Sequence, residues 1–238
     1  MPVSLPDQIK PQPQPSPPTS PRHIVSFAAV ALVGLFVGIA AEELRWRGSA
    51  GAPKGQLVQA EHEFQVGDSK TALKLFSALA DNNDPIAEYW LAHMIEFGLG
   101  VPRDPAKAID LYKKAAEQNV DAAELRLGQI YLDGNLAPPD FAQAKAYLEK
   151  SAYQGNSHAA MMLGQMYRVG FGMKADPTEA YAWSEVATLE GNVFAERERN
   201  ASFHDLSTDD QKAAITRARE ILKTVKSETT VPTVPESK

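Results

Sequence analysis

The chain repeats itself every 36 residues through its central part, and this period constrains its fold more than any other feature. Written in rows of 36, the sequence aligns without a gap in columns of alanine, leucine, glycine and aspartate. The columns are Ala87, Ala123 and Ala159; Leu91, Leu127 and Leu163; Gly98, Gly134 and Gly170; and Asp104, Asp140 and Asp176. A fixed period of this length predicts stacked copies of one supersecondary unit that share a continuous core.

Each column predicts a step in the backbone of that unit. The glycine follows a helical stretch, where a left-handed residue ends a helix without Cβ strain. The aspartate then caps the next helix by accepting its first amide hydrogen bonds, and in two rows a proline follows at the first helical position. A small residue beside each leucine marks where two helix backbones approach closely. The unit is therefore predicted to be helix, glycine turn, aspartate cap, helix.

The pattern extends beyond the three complete rows. Asp68, Ala72 and Phe76 occupy the columns of Asp104, Ala108 and Tyr112, so a helix near 68–82 is expected, with 56–65 as its partner. At the other end we expect a helix over 192–203 and a capping helix over 209–226. The expected apolar face of the cap comprises Ala213, Ile215, Ala218, Ile221 and Leu222. The repeat domain is thus predicted to span 56–226, with 227–238 disordered.

The segment before the repeats divides into three parts. Residues 1–22 contain eight prolines, a composition that predicts an extended, solvated tail and favours a plain spacer over a ligand for a proline-reading module. From Ile24 to Ala41 run 18 residues without a charge, which as a helix would be about 27 Å long. We therefore expect a transmembrane helix over 23–41 and a flexible linker over 42–55. A cleaved secretory signal is the alternative for the apolar segment.

One face of the apolar segment contains small residues, which are typical of membrane helices that pack against each other. Ala31, Gly34 and Gly38 lie three and four residues apart, and such a face lets two membrane helices pack closely. Two interpretations remain open, a simple anchor and a homodimer through this face. The basic residues on the two sides are nearly equal in number, so the positive-inside rule does not decide the topology.

The sequence contains no recognisable site for chemistry. Without cysteine there is no disulfide, thiolate metal site or thiol nucleophile. Glu61-His62-Glu63 lacks the second histidine of a zinc-protease motif, and His93 with Glu96 supplies only two ligands. The net charge of −6 argues against a general nucleic-acid binder. We therefore expect no catalytic, cofactor or metal site and no nucleic-acid partner.

One face of the first helix in each row varies where the packing columns do not. This face contains Trp90, His93 and Phe97 in the first row, Arg126, Gln129 and Asp133 in the second, and Met162, Gln165 and Val169 in the third. In stacked helix pairs the first helices line the concave surface on which partners bind. We predict that Trp90, His93, Phe97, Arg126, Gln129, Met162 and Gln165 contact a protein partner. The alternative for Trp90 is that it covers the neighbouring unit.

The rows resemble Sel-one-like repeats, 36-residue relatives of the tetratricopeptide repeat. The motifs are AAELRLGQIYLDG at 122–134 and HAAMMLGQMYRVGFGMKADPTEAYAW at 158–183. The run EAYAWSEVATLEGNVFA, followed by the helix start LSTDDQ, also resembles the usual terminal unit of this family. The resemblance covers about 56–222. It implies an all-α, right-handed α-solenoid that binds other proteins, often in the bacterial envelope and in signalling or polysaccharide-related assemblies.

Together these features predict a membrane-anchored scaffold or adaptor rather than an enzyme. The expected setting is a bacterial inner membrane with the solenoid in the periplasm, where the protein regulates or assembles an envelope system. Two alternatives remain: the opposite topology with a cytoplasmic solenoid, and a hydrolase that acts on envelope polymers.

Overall fold

The repeat region consists of helices joined by short turns. The computed structural model describes residues 54–229, and over this range the secondary structure is entirely helical. In chain order the helices are α1 Lys54–Gln65, α2 Ser69–Ala80, α3 Pro85–Phe97, α4 Pro105–Glu117, α5 Asp121–Asp133, α6 Phe141–Tyr153, α7 Ser157–Val169, α8 Pro177–Leu189, α9 Ala195–His204 and α10 Thr208–Thr229. The prediction of an all-α solenoid of helical hairpins is confirmed.

The predicted helix ends are confirmed by the backbone. Gly98, Gly134 and Gly170 end α3, α5 and α7 in the left-handed conformation, with φ of 72°, 70° and 82°. The aspartates of the next column cap α4, α6 and α8, each accepting hydrogen bonds from backbone amides two or three residues ahead. These local signals set the phase of every hairpin, because each helix can begin and end at only one residue.

The small-residue column lies where the two helices of a hairpin touch. A Cβ added at Gly128 would lie 2.6 Å from Leu148 Cγ, and one added at Gly164 would lie 2.4 Å from Ser184 Oγ. Both distances are shorter than a carbon contact allows, so these positions have no space for a side chain. In the first row the same column holds Ala92, which is fully buried.

The first helix pair follows the predicted pattern. Asp68 caps α2 by accepting from the Thr71 amide, and Ala72 and Phe76 are fully buried, as are their counterparts Ala108 and Tyr112. A complete hairpin, α1 with α2, therefore precedes the three full rows.

The C-terminal cap differs from its prediction in phase. Helix α9 begins at Ala195, not Asn192, because the Asn192 side chain accepts a hydrogen bond from the Phe194 amide and holds the preceding residues in a turn. Helix α10 begins at Thr208 after Ser207, whose hydroxyl oxygen accepts from the Asp210 amide. The face it buries comprises Ala214, Ala218, Ile221 and Val225, and Ala213 is exposed. The helix also continues to Thr229, three residues past the predicted boundary.

The predictions for the two ends of the chain lie outside the described residues. They concern the tail at 1–22, the membrane helix at 23–41 with Ala31, Gly34 and Gly38, most of the linker, and residues 230–238. Within residues 54–229, none of the helices combines the length and hydrophobicity required to cross a bilayer.

Candidate functional site

The residues predicted to bind a partner all lie on the first helices of the hairpins. We call α1, α3, α5, α7 and α9 the A helices, and their exposed surface the A-helix face; α2, α4, α6 and α8 are the B helices. Because the rows are 36 residues apart, equivalent positions on successive A helices form columns that run along the stack. The three predicted columns begin at Trp90, His93 and Phe97, and the structure assigns them different environments.

The column of Trp90 joins successive repeats. Arg126, its equivalent on α5, reaches back to Glu96 on α3: its Nε lies 3.0 Å from Glu96 Oε2, and a second guanidinium nitrogen contacts Oε1. Glu96 is 2% exposed and also accepts a hydrogen bond of 2.9 Å from the Tyr112 hydroxyl. Burial disfavours the charged guanidinium, but the hydrogen bonds and the charge of Glu96 outweigh it and raise the pKa of Arg126.

Trp90 packs back over the preceding hairpin in the same way. Its ring stacks on Phe76 with 6.0 Å between centroids and lies 5.1 Å from the ring of Phe64. The side chain is 2% exposed. Partner contact by Trp90 stays a prediction, but the structure encloses this side chain between repeats, as the alternative interpretation expected.

His93 lies at the edge of the same aromatic cluster. Its ring centroid is 4.7 Å from Phe97 and 5.9 Å from both Trp90 and Phe64. Burial lowers the pKa of His93 to about 4, so the imidazole is neutral at pH 7.

Side chains of three A helices form a continuous row across the face. The Arg126 guanidinium lies 5.8 Å from the ring centroid of Phe97 and donates to Gln129 Oε1 at 2.9 Å. The Gln129 amide nitrogen is 3.9 Å from the sulfur of Met162 on α7. Phe97 is 50% exposed, whereas Gln129 and Met162 are half-buried. The structure therefore brings four of the seven predicted residues into direct succession, and Gln165 lies one turn beyond Met162 on the same helix.

Two buried carboxylates at the other end of the A helices hold single hairpins together. Glu88 accepts a hydrogen bond of 2.8 Å from the Gln118 amide, and Glu124, one row later, accepts from Gln154. Both carboxylates are at most 2% exposed. Desolvation raises the pKa of Glu88 despite the charge of Lys114 and the hydrogen bond from Gln118. Each contact joins the C-terminal end of a B helix to the A helix of its own row, so these contacts stabilise individual repeats.

The histidine and carboxylate motifs do not converge. Glu61, His62 and Glu63 lie on the surface of α1. Glu96 accepts hydrogen bonds from Tyr112 and Arg126, whereas the His93 ring packs against aromatic side chains. Across residues 54–229 no three histidine or acidic side chains are grouped so that they could hold a metal ion.

Sequence reasoning missed the role of Glu96 as the partner of Arg126. A signal was available two rows later: Arg168 and Glu198 occupy the same two columns with the charges exchanged, and Arg168 Nε lies 2.7 Å from Glu198 Oε2. Opposite charges separated by 30 residues in two places indicate a contact between neighbouring repeats. Reading each helix separately hid this relation.

The comparisons with known proteins agree with this geometry. Residues 85–120, 121–156 and 157–192 each match the Sel1 repeat, so this part of the chain consists of three Sel1 repeats. The resemblance inferred from the sequence is confirmed for these rows. None of the curated proteins matches the chain.

Two solved structures share the fold. One is a protective antigen present in uropathogenic Escherichia coli strains that displays an SLR fold; it is 22% identical, with a TM-score of 0.63 over 88% of this chain and 50% of that protein. The other is a Sel1 repeat protein from Oxalobacter formigenes, 24% identical, with a TM-score of 0.61 over 84% of this chain and 83% of its own. The chain spans half the length of the first. At these identities the likeness concerns the fold alone.

Proposed function

We propose that this protein is a scaffold that holds a partner protein on its A-helix face and is itself held at a membrane by residues 23–41. Sel1 repeat proteins generally mediate protein–protein interaction, which supports the first part. The observation that best supports partner binding is the continuous row of side chains formed by Phe97, Arg126, Gln129 and Met162. It crosses three repeats, presents apolar and amide groups together, and is only partly covered.

The three columns of the A-helix face differ in how much they contribute to the stability of the stack and how much surface they leave for a partner. In the column of Trp90, Arg126 and Met162, the first two side chains make contacts between repeats, and Arg126 and Met162 also line the exposed row. In the third column Phe97 and Val169 are 50% and 52% exposed and add less to the core. In the second column Gln129 and Gln165 are half-buried, and His93 lies at the edge of the aromatic cluster. Stacked helix pairs place this face on the inside of the curve, where an extended partner meets several repeats at once.

The membrane part of the proposal rests on the sequence. An uncharged segment of 18 residues matches the thickness of a bilayer core. Twelve residues separate Ala41 from Lys54, where α1 begins, and an extended chain of that length reaches about 40 Å. A partner held on the A helices would therefore stay close to the membrane. We place the protein in a bacterial inner membrane with the solenoid in the periplasm, as a regulator or assembly factor of an envelope system.

Site-specific photo-crosslinking in intact cells tests the binding face. A photoreactive amino acid replaces Gln165 on an A helix, and as a matched control it replaces Ala146, an exposed residue of the B helix α6. The proposal expects a discrete protein adduct from position 165 and none from position 146, followed by identification of the captured protein. Adducts from position 146 alone would place the partner on the B helices and reject the proposal.

A reporter fused to the C-terminus tests the topology independently. Activity of an enzyme that matures only in the periplasm supports the proposed orientation. Activity of a strictly cytoplasmic reporter supports the reverse orientation and would move the partner to the cytoplasm without changing the binding face.

A further inference from the structure

The last residue of each central A helix forms an exposed column of alternating character. Phe97, Asp133 and Val169 each directly precede the left-handed glycine that ends α3, α5 or α7. Phe97 and Val169 are half exposed, and Asp133 is exposed as well. Across the described residues, no salt bridge or side-chain hydrogen bond engages the Asp133 carboxylate. The column therefore presents an apolar, an acidic and an apolar side chain, one from each repeat.

The charge of Asp133 is not compensated by its neighbours. The arginines of α5 and α7 are each paired with a glutamate of an adjacent A helix, Arg126 with Glu96 and Arg168 with Glu198. Asp133 is also at the C-terminus of α5, where the helix dipole adds partial negative charge. Residues 56–225 contain 25 acidic and 17 basic side chains, a net charge of −8. A cation is therefore favoured at the centre of this column.

The distance between neighbouring A helices determines how far apart the contacting side chains of a bound peptide must be. Contacts from Arg126 to Glu96 and from Gln129 to Met162 show that neighbouring A helices pack side by side. Packed helices lie about 8–10 Å apart, and an extended peptide advances about 3.3 Å per residue. One step along the column therefore corresponds to about three residues of an extended partner.

The adjacent column supplies groups suited to a peptide backbone. Gln129 and Gln165 occupy equivalent positions on α5 and α7, one turn before Asp133 and Val169. A side-chain amide can donate to a carbonyl and accept from an amide N–H of a bound main chain. Within residues 54–229 the Gln129 amide nitrogen donates to the sulfur of Met162 alone, and because sulfur is a weak acceptor the amide retains capacity to donate.

We propose that Phe97, Asp133 and Val169 recognise an extended segment of a partner protein in which a lysine or arginine has an apolar residue three positions away on each side. The inference rests on the proposed function and specifies the chemistry of its partner. The basic residue pairs with Asp133, and the two apolar side chains pack on Phe97 and Val169.

Synthetic peptides test this proposal against the full-length chain in detergent. The probe is a fluorescent peptide with the pattern Leu-x-x-Lys-x-x-Leu in a serine and glutamine background. A second peptide has glutamate in place of the lysine, and a third has the composition of the first in scrambled order. The proteins are the native chain, Asp133→Lys and, as a control away from the column, Phe194→Ser, which changes a side chain that is 74% exposed.

We expect Asp133→Lys to reverse the preference of the native chain for the lysine peptide over the glutamate peptide. The native chain and Phe194→Ser bind the lysine peptide about fivefold or more tightly than the glutamate and scrambled peptides. Asp133→Lys reverses the order of the lysine and glutamate peptides while its unfolding midpoint stays near that of the native chain.

Three outcomes would overturn the inference: equal affinities for the lysine and scrambled peptides, an order that does not depend on position 133, or no saturable binding up to about 1 mM. None of them changes the crosslinking result expected at position 165. A failure of this inference is therefore distinguishable from a failure of the proposed function.

Discussion

Two junctions between repeats use the same pair of columns with opposite charge order and different burial. Between α3 and α5, Glu96 pairs with Arg126, and their side chains are 2% and 21% exposed. Between α7 and α9, Arg168 pairs with Glu198, at 43% and 21% exposed. The geometry of a 30-residue separation is shared, so the repeat specifies where a contact forms but not which charge stands on which helix.

The junction between these two shows that charge is not required at all. Its corresponding positions hold Leu132 and Met162, both partly buried. One chain thus contains a buried ion pair, an apolar pair and a solvated ion pair at equivalent positions. An ion pair in water contributes little, whereas removing one partner of a buried pair leaves an uncompensated charge. The first junction should therefore be far more sensitive to single substitutions than the third.

The largest expected effect is that of Arg126→Met. The substitution leaves the carboxylate of Glu96 buried without its cation, which costs about 3–5 kcal/mol of unfolding free energy. Chemical denaturation of the full-length chain measures this loss. A change below about 1 kcal/mol would show that water reaches Glu96 and that the first junction resembles the third.

Converting the first junction into the second should reverse that loss. Glu96→Leu with Arg126→Met reproduces the pair Leu132 and Met162, and Tyr112→Phe removes the hydroxyl that would otherwise lose its acceptor. Replacing a buried ion pair by well-packed apolar residues is often neutral or stabilising, so the triple variant should unfold within about 1–2 kcal/mol of the native chain. If it is as unstable as Arg126→Met alone, packing and not charge limits this junction.

Acid should weaken the first junction before the third, because His93 lies beside it. The pKa of His93 is lowered to about 4 by burial, against an ordinary value of 6.5. As the pH falls from 6.5 towards 4, the unfolded chain takes up a proton at this residue and the folded chain does not. The stability that the neutral imidazole contributes is therefore present above pH 6.5 and lost as the pH falls towards 4.

Denaturation at several pH values measures this effect with a matched control. His93→Gln should flatten the dependence of the unfolding free energy on pH in this window. His204→Gln, which removes a histidine at a side chain that is 93% exposed, is the matched control. Equal flattening by both substitutions would contradict the contribution assigned to His93.

The smallest expected effect is that of Arg168→Met at the third junction. The guanidinium is substantially exposed, so its pair with Glu198 contributes at most about 1 kcal/mol. A loss comparable with that of Arg126→Met would remove the distinction between the two junctions.

What could be predicted from the sequence was local. The glycine and aspartate columns set the ends of the helices, because a left-handed residue and a side-chain cap each act within one turn. Trp183 shares a column of the 36-residue rows with Leu111 and Tyr147, and it is 1% exposed.

What could not be predicted depends on neighbouring repeats. The sequence of α3 alone shows that Trp90, His93 and Phe97 share one face of the helix. It does not show that the Trp90 ring packs against Phe64 and Phe76 of the preceding hairpin. The face that α10 buries likewise depends on the helices α8 and α6 on which it packs, and it contains Ala214 where the sequence pattern predicted Ala213.

The separation of junction columns from binding columns is the central claim, and one measurement tests it most directly. Crosslinking yield from a photoreactive residue at position 165 is compared between the native chain and Phe97→Ser with Val169→Ser, with the unfolding free energy recorded alongside. Because both side chains are half exposed, we expect the yield of the partner adduct to fall strongly while the unfolding free energy falls by only about 1 kcal/mol per site. An unchanged yield in the folded variant, or a loss of stability as large as that of Arg126→Met, would contradict the account.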